Sequence, residues 1–121
     1  MAGPEDIVAV MDRQGIKLVR LRSGTLLHEP EVEALGRALA GLADVPGARV
    51  VMSFLGVQSL TSLVLGQLIR AHKRLAESGG ELRLADIDPH LYEVFSITRL
   101  DRLFKIYERE ADALASFGVE A

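Results

Sequence analysis

Val50-Val-Met-Ser-Phe-Leu-Gly-Val-Gln-Ser-Leu-Thr-Ser-Leu-Val-Leu-Gly66 is the stretch from which the fold is read. It opens with Val50 to Met52, an apolar, β-branched run of the kind that suits a strand buried on both faces. A short loop around Gly56 follows, then three hydroxyl residues, Ser59, Thr61 and Ser62. Serine and threonine favour helix starts because their oxygens accept the backbone N–H groups left unpaired in the first turn. From there Val64, Leu65, Leu68, Ile69, His72 and Leu75 recur at spacings of three and four, which is one face of an α-helix. The hydroxyl cluster thus sits where the carboxyl end of a strand meets the start of a helix. In open α/β sheets, ligands and partners dock at that edge.

Working outward, Ile7 to Met11 reads as a first strand, Asp12-Arg-Gln-Gly15 as a turn, and Ile16 to Leu21 as a half-buried second strand pairing with the first as an antiparallel hairpin. Ser23-Gly-Thr25 breaks the pattern. Pro30 suits a first helical turn, and Val32, Leu35, Ala38, Leu39 and Leu42 define an amphipathic helix that ends at Val45-Pro-Gly47, before the strand at 49–54. The second helix, about 62–77, stops at Ser78-Gly-Gly80. Glu81 to Ala85 alternates as a strand, and Asp88-Pro89 caps a third helix whose apolar side is supplied by Tyr92, Val94, Phe95 and Ile97. Leu103 to Tyr107 reads as a last strand. Glu108 to about Phe117 reads as a terminal helix with Ala111, Leu114 and Ala115 inward. The expected fold class is α/β. It is one domain over residues 1–121, core about 7–117, with a mixed, mostly parallel sheet of about five strands, an N-terminal antiparallel hairpin and about four helices.

Composition narrows the function. At 121 residues the chain is long enough to bury a core without staples, and it contains no cysteine, which removes disulfides and thiolate metal sites. Fourteen basic residues stand against 17 acidic ones, so no electrostatic footprint for nucleic acid or anionic lipid is expected. No apolar run approaches the roughly 20 residues of a membrane helix, and the first residues lack the basic region and apolar core of a signal peptide. A cytoplasmic protein with no membrane insertion, a monomer or weak homodimer, is the expectation. Gly79-Gly80 follows a helix instead of preceding one, so it is no phosphate loop, and neither a metal-ligand cluster nor a cofactor motif is apparent.

Three segments, in this order and spacing, give the sequence a family likeness: Leu21-Arg-Ser-Gly-Thr-Leu26; Val50 to Gly66; and Tyr92-Glu-Val-Phe-Ser-Ile-Thr-Arg-Leu100 with Leu103-Phe-Lys-Ile-Tyr107. Over about residues 7–117 the chain resembles a STAS domain of the bacterial anti-sigma factor antagonist family. That resemblance implies a non-enzymatic regulatory module that binds an anti-sigma factor or related serine kinase and so frees a sigma factor. It places Ser62 at the serine the kinase phosphorylates and Gly66 at the family's second glycine, where the family typically reads Asp-Ser-Ser-Gly-Leu-Gly. Here Thr61 stands in place of the Asp, and Leu63 and Val64 in place of the second Ser and the first Gly. Leu27 and Ser53 also stand where the family often has Asp.

The expected partner edge comprises Gly24, Leu27, His28, Gly56, Ser59, Thr61, Ser62, Leu63, Gly66 and His90. A phosphate on Ser62 would be tolerated at a helix start and would add about 1.5–2 negative charges to a contact face. The plainer reading of the same hydroxyls is that they cap a helix. Phe54, Leu55 and Val57 either join Leu27 and Leu63 in an outward apolar patch or, in the case of Phe54 and Val57, tuck into the core. Arg70, His72, Lys73 and Arg74 read as a helix flank, with His72 at the edge of the apolar face. Two other functions are open to the same residues. One is a STAS scaffold without phosphorylation, in a signalling or lipid-transport complex. The other is a small hydrolase or anion-binding protein using Ser62 with His28 or His90.

Overall fold

The strand Arg49–Ser53 lies at the centre of a five-stranded sheet because it can be buried from both sides: Val50, Val51, Met52 and Ser53 are all buried. The computed structural model describes residues 8–21, 25–26 and 29–118. In chain order the elements are β1 (Val8–Arg13), β2 (Ile16–Leu21), β3 (Thr25–Leu26), α1 (Glu29–Ala43), β4 (Arg49–Ser53), β5 (Ser59–Leu60) and α2 (Ser62–Glu77). They continue with β6 (Glu81–Ala85), α3 (Pro89–Ile97), α4 (Leu100–Leu103), β7 (Lys105–Tyr107) and α5 (Glu110–Ser116). The sheet order is β1-β2-β4-β6-β7, with β1 antiparallel to β2 and every other neighbour parallel.

Alternation along the strands divides the core in two. Val19, Leu21, Val50, Met52, Leu82 and Leu84 face the side that carries α1 and α2, where Leu35, Leu39, Leu68 and Leu75 meet them. Ile16, Leu18, Val51 and Ala85 face the other side, which Ala113 and Leu114 of α5 cover. The hairpin, the α/β class and the parallel crossovers all match the sequence expectation, and the four expected helices are joined by a short fifth, α4.

Several details differ, each for a tertiary reason. The first strand runs on to Arg13, because Gln14 (φ 54°) and Gly15 (φ 89°) alone make the turn, the two-residue form with both centres in the left-handed region. Asp12 Oδ1 accepts the Gly15 N–H at 2.9 Å and closes it. Leu103, expected to open the last strand, belongs to α4, which begins after Arg99 at φ 63°. On α3 only Leu91 and Phe95 are buried, four residues apart, while Tyr92, Val94 and Ile97 are exposed, Ile97 to 81%. The helix meets the sheet along one narrow stripe. On α5 the inward residues are Ala113 and Leu114, with Ala111 and Ala115 exposed. The phase follows Phe117, which packs beneath the same cluster and lies under the Arg83 guanidinium at 3.8 Å.

Candidate functional site

The hydroxyl residues of the central stretch do three different jobs. Ser59 is half-buried in β5, which pairs with β3 through Thr25↔Ser59 and Leu26↔Leu60, a short parallel ribbon the sequence did not announce. Thr61 is the N-cap of α2: its backbone is extended and its Oγ1 accepts the Val64 N–H at 3.3 Å. Ser62 is the first helical residue, exposed, with no hydrogen bond from its hydroxyl among the described residues. Thr61 serves Val64, and the N–H groups of Ser62 and Leu63 at the helix tip have no hydrogen-bond partner among the described residues. No acidic residue occupies the first turn of α2.

Around this tip, Leu63 is 51% exposed, Val64 is buried, and Gly66 is half-buried one turn further on. The turn Phe54-Leu-Gly-Val57 closes through Val57 N–H to Phe54 O at 2.9 Å, with Gly56 at φ 83° in the position where a side chain would be strained. Phe54 and Val57 tuck into the core, the plainer of the two expectations, and the ring of Phe54 meets Phe95 edge-on. Leu55, between them, is 75% exposed. Among the described residues the apolar part of the edge is therefore Leu55 and Leu63. His90 is exposed near the start of α3, which Asp88 caps by accepting the Leu91 N–H at 2.9 Å. No hydrogen bond joins His90 to Ser62. Gly24, Leu27 and His28 lie outside the described residues.

The acid absent from the end of β4 is supplied by the loop that follows the neighbouring strand β6. Ser53, 2% exposed, donates its hydroxyl to Asp86 Oδ2 at 2.7 Å, and Asp86 sits just past the carboxyl end of β6 at φ 60°. The same Oγ accepts the Leu55 N–H at 3.3 Å. Sequence reading passed over Asp86, which lies between the strand that ends at Ala85 and the cap at Asp88. It also passed over Arg20, whose guanidinium makes a two-pronged bond to Glu110 at the start of α5 (2.9 and 2.6 Å). That pairing, its largest influence, holds the Arg20 proton more firmly than usual, and burial opposes it. Arg20, Ser53, Leu55, Asp86, Arg109 and Glu110 border an open groove of about 580 Å³ on the α5 side of the sheet edge.

His72 is half-buried on α2, with its ring 5.0 Å from Phe104, and burial pushes its pKa below the ordinary histidine value. Among the described residues no group of three or more His, Asp or Glu side chains could hold a metal ion, and no helix is long and apolar enough to cross a membrane.

A family model described as the STAS domain matches residues 8–113, from β1 into α5. The chain is similar to an anti-sigma F factor antagonist from Paenibacillus polymyxa, 26% identical over 106 residues that span 88% of this chain and 90% of that protein. Its fold is similar to an anti-sigma-factor antagonist (STAS) domain protein from Planctomyces limnophilus, with a TM-score of 0.81 and 23% identity over 92% of this chain and 97% of the other. An anti-sigma factor antagonist from Mycobacterium paratuberculosis superposes with a TM-score of 0.77 and 26% identity, covering 96% and 97% of the two chains. With the matched region spanning the hairpin, the parallel strands and the α2 tip, this chain belongs to the STAS domain family.

Proposed function

We propose that the protein is an anti-sigma factor antagonist that docks an anti-sigma kinase through the edge around Ser62, and that phosphorylation of Ser62 releases it. In that step the γ-phosphoryl group of ATP passes to Ser62 Oγ, the hydroxyl proton is lost, and ADP departs. The observation that carries the reading is the state of the α2 tip. Ser62 is exposed at the first helical position, its own N–H and that of Leu63 have no hydrogen-bond partner among the described residues, and the first turn carries no acid. A phosphate there would meet free donors and the positive end of the helix dipole, so the fold would stand while the contact face gained about 1.5–2 negative charges. Thr61 fits the same account. It replaces the family's Asp and keeps the cap by its own hydroxyl, so no carboxylate lies next to the serine. Leu55 and Leu63 supply apolar contact at the rim, and the names of the relatives in Paenibacillus polymyxa and Mycobacterium paratuberculosis agree in role. The test is binding of the unphosphorylated protein to an anti-sigma kinase from the source cell. Wild type binds, Ser62→Ala binds equally, and Ser62→Asp binds weakly; equal binding by Ser62→Asp overturns the switch.

The replacement of Asp by Thr61 favours a second reading, a STAS scaffold whose partner binds whatever the state of Ser62. Under it, all three proteins bind alike.

A further inference from the structure

The turn after β4 is held with more apparatus than a surface loop requires. A serine hydroxyl has one proton, and Ser53 gives it to Asp86 Oδ2 at 2.7 Å, which turns the oxygen's lone pairs toward the Leu55 N–H. Phe54 and Val57, fully buried, pin the two sides, and Phe54 N–H also bonds Ala85 O at 3.0 Å. Asp86 is kept at φ 60°, where a non-glycine residue is held only when its surroundings enforce it. The product of these constraints is one large apolar side chain, Leu55, standing in solvent in a fixed place. Beside it, Glu110 is saturated by its fork to Arg20, and Arg109 bonds Asp112 at 3.3 Å. Asp86 takes no ion pair among the described residues. Its charge is felt by Arg20 through space, but its hydrogen bond is to a neutral hydroxyl.

We infer that Leu55 and Asp86 form a second contact point, on the α5 side of the edge, for a partner segment that presents an apolar side chain next to a basic one. The inference rests on the proposed antagonist function and names the surface by which the same anti-sigma partner is gripped independently of Ser62. Leu55 supplies a buried anchor in the complex, and the Asp86 carboxylate pairs with the cation across the groove bordered by Arg20 and Glu110. The Asp86–Ser53–Leu55 chain of hydrogen bonds sets the anchor before the partner arrives, so its ordering cost is already met.

The experiment is calorimetric titration of the anti-sigma kinase with wild type, Leu55→Ser and Asp86→Asn at two salt concentrations. Leu55 is exposed, so Leu55→Ser folds normally and is expected to weaken binding about tenfold or more. Asparagine tolerates the left-handed backbone and still accepts the Ser53 proton, so Asp86→Asn removes charge alone. Its binding should be weaker at low salt and should lose most of the decline that wild type shows between about 0.1 M and about 1 M salt. Binding of Leu55→Ser within twofold of wild type, or an unchanged salt dependence in Asp86→Asn, overturns this inference and leaves the antagonist function standing. Failure of wild type to bind overturns both.

Discussion

The imidazole of His72 stands against the ring of Phe104 with centroids 5.0 Å apart and planes at 66°, an edge-to-face contact between α2 and the residue that ends α4. Its Nδ1 is buried without a hydrogen-bond partner among the described residues. Burial is the main influence on its titration and disfavours the charged ring, with the Glu81 carboxylate opposing through space. The unfolded chain therefore takes up the proton more readily than the folded one, and stability is full above the unfolded value of about 6.5 and falls as pH drops below it. Urea midpoints at about pH 7.5 and about pH 5.5 should differ in wild type, and His72→Gln should remove most of that difference. An equal decline in both proteins would place the effect elsewhere.

A second titration lies lower. Glu81 is hydrogen-bonded by Arg83 at 2.8 and 3.2 Å, and this bond, ahead of the nearby Lys105 charge, holds its carboxyl below the usual range against the opposing effect of burial. Its folded value is depressed, so its contribution is present above the unfolded value and is lost as pH falls through the folded one. Glu81→Gln should make the acid limb of the stability profile shallower below about pH 4.5 and leave the limb assigned to His72 in place.

Thr61 carries the α2 cap by itself. Thr61→Ala leaves Val64 N–H without its side-chain acceptor and should cost about 1 kcal/mol in chemical denaturation. Thr61→Asp should match or exceed wild type, since a carboxylate both caps and complements the helix dipole. A destabilised Thr61→Asp would mean that the site does not accept the family's own residue.

The stripe by which α3 meets the sheet can be checked by truncation. Leu91→Ala, at a residue only 2% exposed, should lose about 2–5 kcal/mol, whereas Ile97→Ala, 81% exposed, should stay within about 0.5 kcal/mol of wild type. Similar losses at both positions would contradict the orientation of this helix.

What the sequence disclosed divides along a physical line. Features decided within a few residues were legible: the Thr61-Ser62 helix start, the Asp88-Pro89 cap, the Ser78-Gly-Gly80 stop, and a β4 apolar enough to lie at the centre. Features decided by long-range contact were not. The pairing of Thr25-Leu26 with Ser59-Leu60 rests on two residues from each strand, too short to leave a period. The inward face of α5 is set by Phe117 under Arg83, far away in sequence. Asp86 reads as one loop acid among several until the parallel register of β4 and β6 brings it beside Ser53. The expected partner edge rests on the local helix-start signal, while the acid that meets Ser53, Asp86, comes from the loop after β6.

Intact mass spectrometry shows whether Ser62 accepts the proposed regulatory phosphate. Wild type and Ser62→Ala are each incubated with the anti-sigma kinase and ATP, then weighed. A switch at Ser62 adds one phosphoryl group to wild type and none to Ser62→Ala. An unchanged wild-type mass, or the same gain in Ser62→Ala, contradicts it.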